Sequence, residues 1–261
     1  MTTADPLEHL DDAPIEEVAC GIGFNPIAAL DPLVVGSYWR ERATDFPGHE
    51  LRTPIRDAAA MMDLIGAVPP IRAMLVSRDD QFVIQLQPDR FFLNWRRRNE
   101  GYPRFNKRDE KQGVLGRAMR EYDLFSAFCA RTFGDAPVPK SIELAKIDVI
   151  REGVYWNDLD QVAEILPCLR DFIAFTKSGK PSLLLRFNEP RAGGVVQVNA
   201  ALGESRSARV LTLETRLSRE LGAGAGMEAT FREANVELNH VFAGLIPKEP
   251  RAKYFNKGRK S

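Results

Sequence analysis

The stretch "FVIQLQPDRFFLNWRRRNEGYPRF", residues 82–105, decides how the chain is read. Its hydrophobic runs flank "QPDR", whose Pro and Asp have turn chemistry, so residues 81–87 and 90–97 read as two strands of a hairpin. A third strand at 72–77 precedes them across a second turn, "RDDQ". The hairpin ends in Asn94 and Trp95, then three arginines, then Tyr102-Pro103-Arg104-Phe105. Alternate strand residues face opposite sides. Phe91, Leu93 and Trp95 therefore share one side, while Phe92, Asn94 and Arg96 share the other.

Working outward, "IEEVACGIGF" reads as a strand over 15–25, with Gly21 and Gly23 marking a bulge or a close backbone approach. "LDPLVVGSYWRERATDF" reads as a helix, with Asp31 as N-cap and Pro32 at the first helical position. Residues 47–70, broken by Pro47, Gly48, Pro54, Pro69 and Pro70, read as an irregular connection with a short helix around Ala58–Ile65. Leu115, Ala118, Met119, Tyr122, Phe125, Cys129 and Phe133 keep a helical period over 113–133. After "GDAPVPK" the order recurs: strand 141–150, a helix over 157–175 bent at Pro167, strands 182–187, 194–200 and 208–218, and a helix from Gly226. Each half reads β-α-β-β-β-α, and "FVIQLQ" is matched by "VVQVNA". The expected fold is α+β: a duplicated unit, halves at 1–136 and 137–247, and a basic tail at 248–261. The expected sheet is curved and antiparallel, with helices on one face and the other face free, similar to TATA-box-binding-protein-like or helix-grip folds. The expected core holds Val18, Ile22, Phe24, Leu93, Trp95, Met119, Phe125, Leu184, Val196, Leu213, Phe231, Leu238 and Leu245.

The net charge is zero but unevenly placed. Residues 1–31 carry seven acids and no base, residues 90–120 ten bases and three acids, and residues 248–261 six bases and one acid. Basic clusters of this kind attract acidic partners or nucleic acid. No apolar run approaches the roughly 18 residues of a membrane span, so no membrane partner is expected. Cys20, Cys129 and Cys168 lack metal spacing and read as reduced core thiols of a cytoplasmic protein. His9, His49 and His240 are isolated, without HExxH or Cys-x-x-Cys, so neither metal nor other cofactor is expected. There is no Gly-x-Ser-x-Gly elbow. "LGAGAGMEAT" lacks the final Gly of a dinucleotide fingerprint and the Gly-Lys-Ser/Thr of a P-loop, and reads as a linker. Glu143 and Lys146 resemble the strands of tunnel-type triphosphate enzymes, but the second Glu is missing. No catalytic constellation emerges.

The candidate binding residues follow from the strand faces. Phe92, Asn94 and Arg96, with Gln85 from the preceding strand and Gln197 and Asn199 from the second half, would line a free sheet face. Amides, a ring and arginines there suit stacking and hydrogen bonding. Arg97, Arg98, Arg104 and Arg108, interleaved with Tyr102, would extend it as an anion-binding patch, whereas the plainer reading is a solvated hairpin end whose Tyr-Pro-Arg-Phe anchors a loop.

Leu10, Asp12, Ala13, Pro14, Ile15 and Glu17, with Phe92, Asn94, Trp95, Arg96, Tyr102, Pro103 and Phe105, carry a resemblance. The chain resembles a group of uncharacterised, sporadically distributed bacterial proteins with an N-terminal Leu-x-Asn-Ala-Pro-Ile-x-Glu motif and central Asn-Trp-Arg and Tyr-Pro-x-Phe motifs. Asp12 stands where that motif has Asn. The resemblance covers most of the chain and implies an accessory role, in defence or toxin neutralisation, with a protein partner encoded nearby; it implies no catalytic residue. The expected function is a non-enzymatic binding module. The alternatives are a nucleic-acid-binding protein and an enzyme acting on a nucleotide or phosphorylated compound.

Overall fold

A computed structural model describes residues 13–53, 72–98, 101–106, 113–175, 182–191, 193–205, 208–222 and 224–255. It is an α+β protein built on a large antiparallel sheet. The elements are β1 (Ile15–Phe24), α1 (Pro32–Arg42), β2 (Gly48–Arg52), β3 (Arg72–Val76), β4 (Phe82–Gln87), β5 (Arg90–Arg96), α2 (Val114–Phe133) and β6 (Pro139–Arg151). They continue with α3 (Leu159–Ile165), a 3-10 turn (Pro167–Leu169), α4 (Arg170–Phe175), β7 (Leu183–Arg191), β8 (Gly194–Ser205), β9 (Ala208–Glu220), α5 (Met227–Leu245) and α6 (Lys248–Phe255). The strands are hydrogen-bonded in the order β2-β3-β4-β5-β1-β6-β9-β8-β7. Two compact units are distinguishable. The first is Val18–Glu143 with Glu220–Glu228; the second is Met1–Glu17, Leu144–Arg219 and Ala229–Ser261. The division passes through β1 and β6.

In the first unit the Asp31 carboxylate caps α1, accepting from the Leu33 and Val34 amides at 2.8 and 2.9 Å, with Pro32 at the first position. The expected irregular connection contains a strand: β2 pairs antiparallel with β3, Gly48 opposite Val76 and Arg52 opposite Arg72. "GHELR" has no apolar alternation because its side chains are half-buried or exposed; only the backbone ladder marks it as a strand. The short helix expected around Ala58–Ile65 lies outside the described residues. The core is aromatic. Phe91 stacks on Phe125 with ring centroids 5.6 Å apart, and Tyr38 meets Phe128 at 5.1 Å. A Cβ on Gly21 would collide with the Phe92 ring, and one on Gly23 with the Ser141 hydroxyl. The two glycines therefore mark close approaches.

In the second unit Pro167 divides the expected single helix into α3, a 3-10 turn and α4. β7, β8 and β9 form an antiparallel meander: Arg186 lies opposite Asn199, and Asn199 opposite Glu214. Val196, Val198, Ala200, Leu202, Leu211, Leu213 and Leu217 are buried on one face, with Phe231, Ala234, Leu238 and Phe242 forming the buried stripe of α5. Leu184, expected in the core, is 64% exposed. It sits opposite Ala201 on the face shared by Arg186 and Asn199, one step out of phase with the buried face. Met119 and Leu245 are half-buried and Cys168 is exposed, whereas Cys20 and Cys129 are buried. Burial pushes the Cys129 thiol up to about 11, so it is inert as a nucleophile. The expected basic tail begins as a helix: in α6 Tyr254 and Phe255 are buried, and the Tyr155 and Phe255 rings meet edge to face at 5.4 Å. Lys253 and the Tyr254 hydroxyl both donate to Glu164, each at 2.7 Å.

Candidate functional site

The residues singled out in the opening stretch occupy three environments. Gln85, Phe92 and Asn94 are brought together as expected, but their face is not free: they are only 5%, 4% and 4% exposed. The Gln85 amide donates to the Asn94 carbonyl oxygen at 2.7 Å and accepts from Arg72 at 3.2 Å. Mutual pairing is what lets such amides be buried. Arg96 and Arg98 both turn to Asp80, at 3.9 and 2.6 Å. Arg97 is half-buried and Arg104 exposed, and Arg108 lies outside the described residues. Tyr102 packs on buried Trp95 at 5.1 Å and Phe105 is 4% exposed. The Arg104 and Phe105 carbonyls accept from the Val114 and Leu115 amides at 3.2 and 3.4 Å. The loop anchor is therefore what the Tyr-Pro-Arg-Phe segment provides here.

Gln197 and Asn199 belong to the second unit, half-buried on the face of β8 away from the buried residues. Arg186 donates to Asn199 at 2.8 Å, Asn199 donates to Glu214 at 3.0 Å, and Arg216 donates to Glu214 at 2.8 Å. Burial pushes the Glu214 carboxyl up, but the Asn199 and Arg216 hydrogen bonds outweigh it and hold the group below the usual range. This row is polar and internally paired. Its two arginines and one glutamate form no basic cluster of the kind a nucleic-acid surface needs.

A concave feature of the second unit lies elsewhere, between β7 and α5. A groove of about 900 Å³ is lined by Phe187, Glu189 and Arg191 of β7 and by residues from Arg232 to Leu245 of α5, including Val236, His240, Val241 and Gly244. Its lining is mostly apolar. On β7 the odd-numbered residues face it, because Arg186 and Asn188 occupy the opposite face with Asn199 and Gln197. On α5 the lining residues form a second stripe, distinct from Phe231, Ala234, Leu238 and Phe242.

Four charged residues of the groove, Glu189, Arg191, Glu233 and Glu237, are paired with one another or with Arg219 of β9. Arg191 meets Glu189 at 2.9 Å and Glu237 at 3.4 Å, and Arg219 meets Glu237 at 2.6 Å and Glu233 at 3.4 Å. Arg191 and, opposite Gly194 at the same hairpin end, Arg219 reach Glu237 and Glu233, so the earlier turns of α5 lie at that end and its later turns run away from it. From Arg191 back to Phe187 β7 retreats by about 13 Å, and from Glu237 to Leu245 α5 advances by about 12 Å. One end of the groove is thus an ion-paired rim, and the other is the apolar patch of Phe187, Val241 and Leu245. Phe187 is 37% exposed. Sequence reasoning missed this site.

Among the described residues no group of three or more His, Cys, Asp or Glu side chains could hold a metal ion, and no helix is long and apolar enough to cross a membrane. Comparison with protein-family models, with characterised proteins and with solved structures finds no match to this chain.

Proposed function

We propose that the chain is a non-enzymatic interaction module that holds a protein partner in the groove between β7 and α5. The carrying observation is the combination of an apolar groove with an exposed sheet edge beside it: β7 ends the strand order, and Arg186–Arg191 are exposed along it. The groove is within the size range of ligand sites, but Glu189, Arg191 and Glu237 on its rim pair with one another instead of converging on a vacant point, which suits a contact surface better than a reaction centre. The nucleic-acid reading of the arginine patch is weaker, since Asp80 takes both Arg96 and Arg98.

A duplication forms part of the same proposal. In the first half the strands run β3-β4-β5-β1, and in the second β7-β8-β9-β6, so each half sets its first strand beside the last strand of a three-strand meander. This supports a repeated β-α-β-β-β-α unit of the TATA-box-binding-protein-like or helix-grip kind, with β2 and α6 as additions. The resemblance to accessory bacterial proteins implies that the partner is encoded by a neighbouring gene.

The test is co-expression with the products of adjacent genes, using the intact chain and a Val241→Glu variant. A partner that copurifies with the former and is lost from a Val241→Glu variant of unchanged melting temperature supports the proposal. Equal retention by both refutes the groove.

A further inference from the structure

The edge of β7 says what kind of segment the groove takes. The β7–β8 ladder closes at Arg191 opposite Gly194, with Gly193 at φ 72°. A hairpin with a two-residue turn closes on a hydrogen-bonded pair, and such pairs recur at every second residue. Arg191, Glu189, Phe187 and Leu185 therefore direct their backbone groups into the sheet. Leu184, Arg186, Asn188 and Pro190 direct theirs outward, to the edge that no described strand pairs. Pro190 fits this phase, because proline has no N–H and is tolerated in a strand where the N–H would face away from the ladder. The outward N–H and C=O groups of Leu184, Arg186 and Asn188 remain as a short template for another strand, and Pro190 ends it.

We infer, resting on the reading of the groove as a partner site, that the partner segment is an extended peptide that adds to the β7 edge as a further strand. Its alternate side chains enter the groove. Main-chain hydrogen bonds to Leu184, Arg186 and Asn188 fix its register, as in other strand-addition complexes. A side chain in an added strand beside Phe187 faces the Phe187–Val241–Leu245 patch, so the segment carries an aliphatic or aromatic residue there. A residue four positions away lies over the ion-paired rim of Arg191 and Glu237. Because that rim is already neutralised, the segment needs no strong net charge, and its binding depends only weakly on salt. A helical segment would satisfy the apolar patch but leave the edge groups to water.

The probe is a phage-displayed library of random peptides, each about ten residues long, enough to span β7. It is selected on the full chain, and the strongest clone is then made synthetically. The expected clones carry apolar residues two positions apart. N-methylation along the synthetic peptide should weaken binding at every second position, by about tenfold or more. Asn188→Pro removes an outward N–H without touching the β7–β8 ladder, and should weaken binding to a similar extent with the melting temperature unchanged. Phe187→Ala should do so through the groove. If binding is lost in Phe187→Ala yet N-methylation has no two-residue period, or the clones space their apolar residues three and four apart, strand addition is wrong while the groove reading stands. If no clone binds in a way that Phe187→Ala weakens, both fall.

Discussion

Replacing Phe92 with Ala separates a binding face from a packed one. A ring on a free sheet face would lose little stability on truncation, within about 0.5 kcal/mol for a surface site, and the cost would appear in binding. Phe92 is 4% exposed, and its ring lies where a Cβ on Gly21 would stand. It also shares its face with Gln85 and Asn94, whose amides are paired under the same cover. Truncation therefore empties a filled site beside a glycine too small to collapse into it, a loss of about 3–5 kcal/mol. For a chain of this length that lowers the melting temperature by about 6–20 °C. Gly21→Ala approaches the same contact from the other side: it overpacks the ring and costs about 1–3 kcal/mol. The two changes should not add, because Phe92→Ala makes the space that the Gly21→Ala methyl needs. Thermal and urea unfolding of the single variants and the pair would show this. A Phe92→Ala variant that melts within a degree or two of the parent would refute the packed-face assignment, and so would strictly additive single effects.

Two further perturbations test other parts of the structure. Glu121 is fully buried and accepts from Arg42 at 2.8 Å and from Arg120 at 3.2 Å. Arg42→Met strips its half-buried partner and should cost about 3–5 kcal/mol in urea unfolding, most of it recovered when Glu121→Leu is added. Glu164 is held below the usual carboxylate range by hydrogen bonds from Lys253 and Tyr254, and Lys253 is raised chiefly by its bond to Glu164. The depressed carboxyl stabilises the α6 contact above its unfolded value of 4.5, and that contribution disappears as pH falls through the lower folded value. The raised Lys253 keeps its contribution until pH rises past the ordinary lysine range. Glu164→Gln should therefore flatten the acid limb of a melting-temperature profile, and an unchanged limb would refute the contact.

Most strands and helices were legible because their side chains alternate or recur against a core. The Asp31 cap and the break at Pro167 were read from residues that do in the structure what their chemistry dictates. What failed lacked a side-chain signal. β2 is held by backbone hydrogen bonds under charged side chains. α6 has no amphipathic period, yet it docks through Tyr254 and Phe255. The Gln85–Phe92–Asn94 face misled for a different reason. Polar residues in a strand read as solvent-facing, but paired amides can be buried, and the pairing of Gln85 with Asn94 is set by cross-strand neighbours that one strand's sequence does not specify.

The groove did have a trace in the sequence. In "LLLRFNEPR" the residues on one face pass from Leu183, Leu185 and Phe187 to Glu189 and Arg191, while Pro190 stands where a central strand would need an N–H. That proline identifies β7 as an edge with its even-numbered backbone groups outward. In α5, Val236, Val241 and Leu245 lie outside the stripe of Phe231, Ala234, Leu238 and Phe242 that fills the core, so the helix has more apolar surface than its buried face uses. An edge strand with a turn-fixed phase and a helix with surplus apolar flank are together what a strand-adding site requires. The same β7 carries Arg186 on its other face, tied into the Asn199–Glu214 row. The strand is thus anchored on one side while its groove face stays open, and a guest segment meets a template that does not have to be ordered first.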